Sequence, residues 1–431
     1  MNRGVSLVRA VGPWSLAAVA VNGIIGAGIF VLPAAVARQV GPAGPYAYLL
    51  AGLAVFLVVL CFAEAAGRFD GTGGPFLYTR AAFGELAGFL AGWMFLLSRV
   101  AGVAAVCNGF ASYLAFFWPA APRFWTLAAL FALLAAIGLV GVRQGVWVMN
   151  SLTAAKLLPL AVFVAVGFFS IDWGRFAGPA GLDMAGLRGA ALMLLFAFCG
   201  FEYATVPGGE TVDPRRHMPF ALIAAISVVS VCYLLVHIVA QGNAANLGVD
   251  DTPVATISQA LLGSTGAALI TLGALVSMAG NASSSMLAAS RMLYALAKDG
   301  PLPAALAWVH PRFRTPWVAT AAFTLLAGAM AVSGTFSYLI VMASIGRLFF
   351  FSLTCAAVLR LRRTAPDQGG HFKIPGGPLV PLAAIALCVW LATGLSASQF
   401  QTGAAALAAG AILYGVARNF KGSNNAPRPM S

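Results

Sequence analysis

The sequence predicts an all-α integral membrane protein with twelve transmembrane helices. Of its 431 residues, 61% are hydrophobic and only 9% are charged, and the mean hydropathy is +0.90. Soluble domains contain about 25% charged residues. Apolar runs of about twenty residues, the length that crosses a bilayer as a helix, recur along the whole chain with short connections. We therefore expect one membrane domain, residues 1–431, with no soluble insertion.

Twelve apolar segments satisfy this length. Their approximate limits are 12–38, 44–67, 84–117, 124–142, 149–170, 187–212, 219–241, 258–297, 316–333, 335–361, 378–397 and 402–420. The first has no small-residue cleavage site after it, so we expect no removed signal peptide.

The basic residues fix an expected orientation. The chain carries 25 Lys and Arg against 12 Asp and Glu, a net charge of +13. Most of the basic residues fall in the loops on one side of the predicted helices, whereas the other side carries only Arg38, Arg123, Arg175 and Arg188. Because the basic side faces the cytoplasm, we expect both termini to be cytoplasmic in a bacterial-type inner membrane. Orientation explains this charge better than nucleic-acid binding does.

The first and sixth segments are interrupted in the same way. The first contains NGIIGAGIF (22–30), and the sixth contains AFCGFEYATVPGGE (197–210). Interrupted helices at matching positions of two halves indicate a transporter site near the middle of the membrane. We therefore expect two inverted repeats, at about 12–170 and 187–361, followed by helices 11 and 12 at about 378–420.

An unwound helix offers free amide groups to an anion and free carbonyl groups to a cation. Such backbone survives in a membrane only where it lines a cavity. A zwitterion suits this arrangement, and Gly26 and Gly28 would let it approach the main chain closely. Close packing between helices is the alternative explanation for glycines in the first segment.

Three stretches resemble the amino acid, polyamine and organocation superfamily of transporters. They are NGIIGAGIF with its following LP (22–33), GFEYATVPGGETVDPRR (200–216) and ASRMLYALAKDGPLP (289–303). The resemblance covers nearly the whole chain and implies a LeuT-like fold, in which five helices repeat in inverted orientation and helices 1 and 6 are discontinuous. It agrees with the twelve helices expected from hydropathy.

The resemblance also implies where a substrate would bind. The substrate carboxylate would meet the main chain at Gly26, Ala27 and Gly28. Its ammonium would meet carbonyl groups near Ile24, and near Phe196 and Cys199 on the sixth helix. Phe196 would act as a gate that closes over the substrate, although an aromatic residue in an apolar helix is also an ordinary core residue. The arginine and agmatine exchangers place tryptophan there, so the phenylalanine argues against a large guanidinium substrate.

Lys156 lies within the fifth apolar segment. Burial disfavours the charged form of lysine, so this side chain could load and release a proton. Similar members of the superfamily have a lysine where sodium-driven relatives hold an ion. We expect its ammonium to contact carbonyls near Gly23 and polar groups that include Asn281 and Ser284. Sodium coupling is then disfavoured, whereas proton symport and obligatory exchange both remain open. The alternative is a lysine that extends to the membrane interface.

Three further charges lie near the middle of the predicted helices: Glu202, Arg99 and Arg347. Charges at this depth are costly and should face a cavity or a partner. Glu202 could sense protons or contact a cationic substrate group, or it could form a structural pair with one of the arginines. The arginines keep their protons, so each is expected to hold a carboxylate or a carbonyl.

We expect no metal and no cofactor, because the six cysteines and four histidines lack ligand spacing and no phosphate-binding GxxxxGK[ST] occurs. A membrane enzyme would need a nucleophile and base converging in a cavity, and a channel would need a ring of repeated groups. The leading hypothesis is a secondary transporter of amino acids by alternating access, with a small neutral or hydrophobic substrate favoured. An exchanger, an exporter and a non-transporting sensor remain alternatives, and no obligatory protein partner is evident.

Overall fold

The computed structural model describes residues 12–69, 74–140, 146–176, 183–205, 213–299, 302–313, 315–364 and 372–424. Within these ranges the chain is helical and contains no strand. By length and composition, seven helices of the described part could cross a membrane, and five shorter apolar helices accompany them. The prediction of an all-α membrane protein is therefore confirmed.

Fourteen α-helices are described, and we number them in chain order. They are α1 (Pro13–Ile24), α2 (Gly28–Val40), α3 (Gly44–Arg68), α4 (Gly74–Phe83), α5 (Glu85–Phe117), α6 (Arg123–Val140), α7 (Val146–Gly167), α8 (Met184–Ala197), α9 (Pro214–Asn243), α10 (Pro253–Asp299), α11 (Trp317–Ser333), α12 (Phe336–Thr364), α13 (Leu379–Ala392) and α14 (Ala397–Asn424). Short 3₁₀ helices include Phe201–Thr205, which follows α8.

Two predicted segments are divided in the structure, the eighth differs in its limits, and α4 lies outside every predicted segment. The first segment is divided between α1 and α2, and the sixth between α8 and the 3₁₀ helix, as the glycine-rich sequences indicate. The eighth segment was expected at about 258–297, and the observed helix is longer and interrupted. The structure extends it from Pro253 to Asp299, and Gly263 has φ +68° and ψ −162°, which interrupts the helical geometry. The helix α4 has only ten residues, fewer than the about twenty that cross a bilayer.

The centre of the molecule is formed by α1, α5, α8, α10 and α12. In the most apolar part of α5, 83% of the residues are buried, against 11% in α14. Large apolar side chains on α14, such as Phe400 and Ile412, are 65% exposed. A helix with so much apolar surface facing outward is suited to contact with lipid. The residues around the two interruptions are buried, and α1 contacts α7, α9 and the 3₁₀ helix.

Candidate substrate site

The first interruption separates α1 from α2. Ile24 ends α1 and Gly28 begins α2, so that residues 25–27 lie between two helix ends. Ala27 is the N-cap of α2 and provides no side-chain cap. The first amide groups of a helix have no acceptor within the helix, and the helix dipole makes this end attractive to anions. The interruption therefore places an anion-binding helix end against the carbonyl end of α1.

The second interruption follows α8. Gly200 has φ +123°, a conformation that favours glycine, and the next residues form the 3₁₀ helix. The amide nitrogen of Gly200 donates a 2.8 Å hydrogen bond to Oε2 of Glu202. The carboxylate of Glu202 therefore stabilises the turn that ends the helical path of α8.

The two interruptions contact each other through their main chains. A Cβ atom on Gly23 would lie 2.7 Å from the carbonyl oxygen of Gly200. The hydroxyl group of Tyr233, on α9, lies 3.2 Å from the carbonyl oxygen of Ile24 and 3.1 Å from that of Ala197. One side chain thus joins the carbonyl ends of α1 and α8, and the absence of a side chain at Gly23 permits the approach.

A small cavity lies where the interruptions meet. Six of the seven residues predicted to bind substrate line this cavity. They are Ile24, Gly26, Ala27, Gly28, Phe196 and Cys199. Glu202 is the exception. Of the residues predicted to couple protons, Gly23 and Asn281 line the cavity, whereas Lys156 and Ser284 do not.

Lys156 is fully buried beside the end of α1. Its ammonium donates 3.1 Å hydrogen bonds to the carbonyl oxygens of Asn22 and Ile25. The expected partners were carbonyls near Gly23, and these two flank it. The carbonyl oxygen of Gly23 itself accepts from Nδ2 of Asn281 at 2.6 Å. The polar side chain that shares a carbonyl with Lys156 is Ser277, 3.1 Å from the oxygen of Ile25, and not Ser284.

Glu202 forms an ion pair with Arg99 on α5, with 2.5 Å between Nη2 and Oε1. Both side chains are buried, at 0% and 2% exposure. The hydroxyl of Tyr203 accepts from Arg99 and donates to Ser285 on α10. Of the two roles left open for Glu202, the geometry is that of the structural pair, since its oxygens face Arg99 and Gly200 rather than the cavity.

Other cavity residues were not predicted as site residues. They are Arg99, Gly102, Val106, Ala197, Tyr203, Ser285 and Arg347. Tyr203 lies within the quoted GFEYATVPGGE stretch, so the motif contained it without indicating its direction. The hydroxyl-bearing Ser285 lines the cavity, whereas Ser98 donates to the carbonyl of Ala343 at 2.8 Å.

No group of three potential metal ligands occurs among the residues that the structure describes. The cysteines are free, and Cys199 donates to the carbonyl of Leu195 within α8. The cavity is therefore built from main-chain groups, aromatic rings and two guanidinium groups.

The fold is that of a helical membrane protein in which two interrupted helices border a cavity. Residues 11–416 match the amino acid permease family. The chain belongs to this family, which is part of the amino acid, polyamine and organocation superfamily, and the family consists of transporters rather than enzymes.

Three relatives illustrate its range. The chain is 29% identical to a methylthioribose transporter of Bacillus subtilis, covering 95% of this chain and 93% of the relative. It is 30% identical to a branched-chain amino acid permease of the same organism, with 90% and 89% covered. It is also 30% identical to a serine/threonine exchanger of that organism, with 84% and 85% covered.

Proposed function

We propose that the protein is a secondary active transporter of amino acids that works by alternating access, coupled to protons and independent of sodium. The substrate amino acid would place its carboxylate at the amide groups of residues 26–28. Its ammonium would lie near carbonyl oxygens at the ends of α1 and α8. The cavity where these helix ends meet supports this placement, because a helix N-terminus and the carbonyl ends of two helices border it with opposite partial charges.

The observation that carries the proposal of sodium independence is the position of Lys156. Its ammonium lies 3.1 Å from two carbonyl oxygens beside the first interruption. Carbonyl oxygens of an unwound helix are the ligands that transporters of interrupted-helix type use for coupling ions. A lysine that fills this position supplies the positive charge itself. Loss of its proton would weaken these two hydrogen bonds, because a neutral amine is a poorer donor than an ammonium group, and would change the interactions that hold the end of α1 against α7.

We further propose the LeuT-like arrangement for the whole chain. Twelve membrane-spanning helices would comprise inverted repeats at about 12–170 and 187–361, with helices 11 and 12 at about 378–420. The interruptions of the first and sixth predicted segments support this division. Cytoplasmic termini in the inner membrane follow from the distribution of basic residues. Phe196, which lines the cavity, would be the gate.

The proposal is tested by uptake into proteoliposomes containing the purified protein. A proton gradient, acidic outside, should drive accumulation of a radiolabelled amino acid, and replacement of sodium by potassium should leave the rate unchanged. Lys156→Ala and the volume-conserving Lys156→Met should both lose the response to the proton gradient. The exposed Lys298 provides the control, since Lys298→Ala should behave like the wild type.

Uptake that depends on sodium, or proton-driven accumulation that persists in both Lys156 variants, would contradict the coupling mechanism. Failure to move any amino acid in either direction would contradict transport itself and favour a sensor.

Exchange is the second candidate, because one relative is named as a serine/threonine exchanger. Counterflow distinguishes the two. An obligatory exchanger takes up labelled amino acid only into vesicles preloaded with substrate, whereas a symporter also fills empty vesicles.

A further inference from the structure

We propose that the substrate carries a second carboxylate, as aspartate and glutamate do, and that Arg347 is the residue that selects it. This inference rests on the proposed transport function and specifies the class of amino acid. It differs from the neutral or hydrophobic substrate favoured by the sequence.

Arg347, on α12, is a buried cation that lacks a counter-ion among the described residues. Its side chain lines the cavity and the residue is only 3% exposed. Nε and Nη1 are buried without a hydrogen-bond partner in the described part of the chain. The guanidinium instead lies over the ring of Phe196, 5.2 Å from its centre. A buried guanidinium group without hydrogen-bond partners or a counter-ion destabilises the folded protein unless another group supplies them.

The acidic residue beside the cavity does not supply that group. Glu202 directs Oε1 to Arg99 and Oε2 to the amide of Gly200. The pair of Arg99 and Glu202 is neutral as a unit, so the charge of Arg347 is uncompensated within the described cavity lining. A zwitterionic substrate brings no net charge and would leave this excess in place. A substrate with one additional carboxylate would neutralise it.

Arg347 contacts residues other than those expected to bind the α-carboxylate. The main-chain amides at the start of α2 form one part of the lining, whereas Arg347 meets Phe196 and Gly102. A Cβ on Gly102 would lie 3.3 Å from Nη2 of Arg347, so a glycine there leaves room for the guanidinium. A planar guanidinium binds a carboxylate through two parallel N–H bonds, which makes arginine selective for that group.

The test compares acidic amino acids with their amides, which have nearly the same shape. Binding of aspartate, asparagine, glutamate and glutamine to the purified full-length protein is measured by isothermal titration calorimetry. At least one acid should bind about 10- to 100-fold more tightly than its amide, as expected for hydrogen bonds to a charged group.

Arg347→Gln should remove this preference by weakening the acid selectively, while Arg347→Lys should retain part of it. Arg216→Gln is the control, because that side chain is 80% exposed and lies outside the cavity. Thermal unfolding of each variant shows whether it is folded.

The wild-type comparison alone can overturn the inference. If neutral amino acids bind and are transported while both acids fail to bind, the substrate class is wrong and the transport function stands. Equal weakening of acid and amide by Arg347→Gln would show that Arg347 holds the α-carboxylate, which also contradicts the inference. If no amino acid binds or moves, the proposed function fails as well.

Discussion

Substitution of Gly200 by alanine tests the contact between the two interruptions. Gly200 has φ +123°, and a Cβ atom there would overlap the carbonyl of Gly23 and lie 2.8 Å from the amide nitrogen of Ile24. Both are main-chain groups that cannot rotate away. The unfavourable backbone conformation costs about 1–3 kcal/mol. Forced overlap in a packed core adds about 1–3 kcal/mol. We therefore expect Gly200→Ala to reduce the free energy of unfolding by about 2–6 kcal/mol.

Two control variants separate these contributions. Gly263 also has positive φ, +68°, but an added Cβ would have no atom within 4 Å. Gly263→Ala should therefore show only the conformational cost of about 1–3 kcal/mol. Gly415 lies in α14 with neither constraint, so Gly415→Ala should be neutral or slightly stabilising.

The assay is thermal unfolding of the purified protein in detergent, followed by a thiol-reactive dye that reports exposure of the buried cysteines. The expected order of apparent Tm is Gly415→Ala, then Gly263→Ala, then Gly200→Ala. A Gly200→Ala protein as stable as Gly263→Ala would refute the close approach of the two main chains.

Two ion-pair predictions use the same unfolding assay. Glu202→Gln should destabilise the protein by about 3–5 kcal/mol, because it leaves Arg99 as an uncompensated buried charge. Adding Arg99→Gln should recover part of that loss. Strictly additive effects of the two substitutions would contradict the pairing. Glu64→Gln should have a comparable effect, because the buried carboxylate of Glu64 accepts from Arg362 at 2.8 Å, from Arg68 at 3.1 Å and from the amide of Ile374 at 3.0 Å. The matched control is Glu85→Gln. The carboxylate of Glu85 is 64% exposed and pairs with Arg80 at the surface, so its replacement should change the free energy of unfolding by less than about 1 kcal/mol. An equal effect of Glu64→Gln and Glu85→Gln would contradict the importance of the buried cluster.

The positions of the two interruptions could be predicted from local sequence. Glycine has low helix propensity, and NGIIGAGIF places three glycines within six residues of an apolar segment. The structure ends α1 at Ile24 and begins α2 at Gly28, within that stretch. Hydropathy also indicated where most other helices lie, because membrane thickness sets the length of an apolar segment, but it did not indicate α4 (Gly74–Phe83).

The partners of the buried charges could not be predicted in this way. Arg99 and Glu202 are 103 positions apart, and their pairing depends on how α5 packs against the 3₁₀ helix. The same limitation applies to Arg347, whose direction into the cavity depends on the rotation of α12. For Lys156, the sequence indicated carbonyls at the first interruption, but a shift of one or two residues decides whether Gly23 or its neighbours accept the hydrogen bonds. Residue types therefore indicate which chemical groups the site contains, whereas tertiary packing determines which of these groups pair with each other.

The most direct measurement is an experimental structure of the protein with a transported amino acid bound. We expect the α-carboxylate within hydrogen-bond distance of the amide groups of residues 26–28, with the substrate between the ends of α1 and α8 and beneath the ring of Phe196. A substrate bound away from both interruptions, with α1 and α8 continuing as unbroken helices past Gly26 and Gly200, would contradict the proposed site.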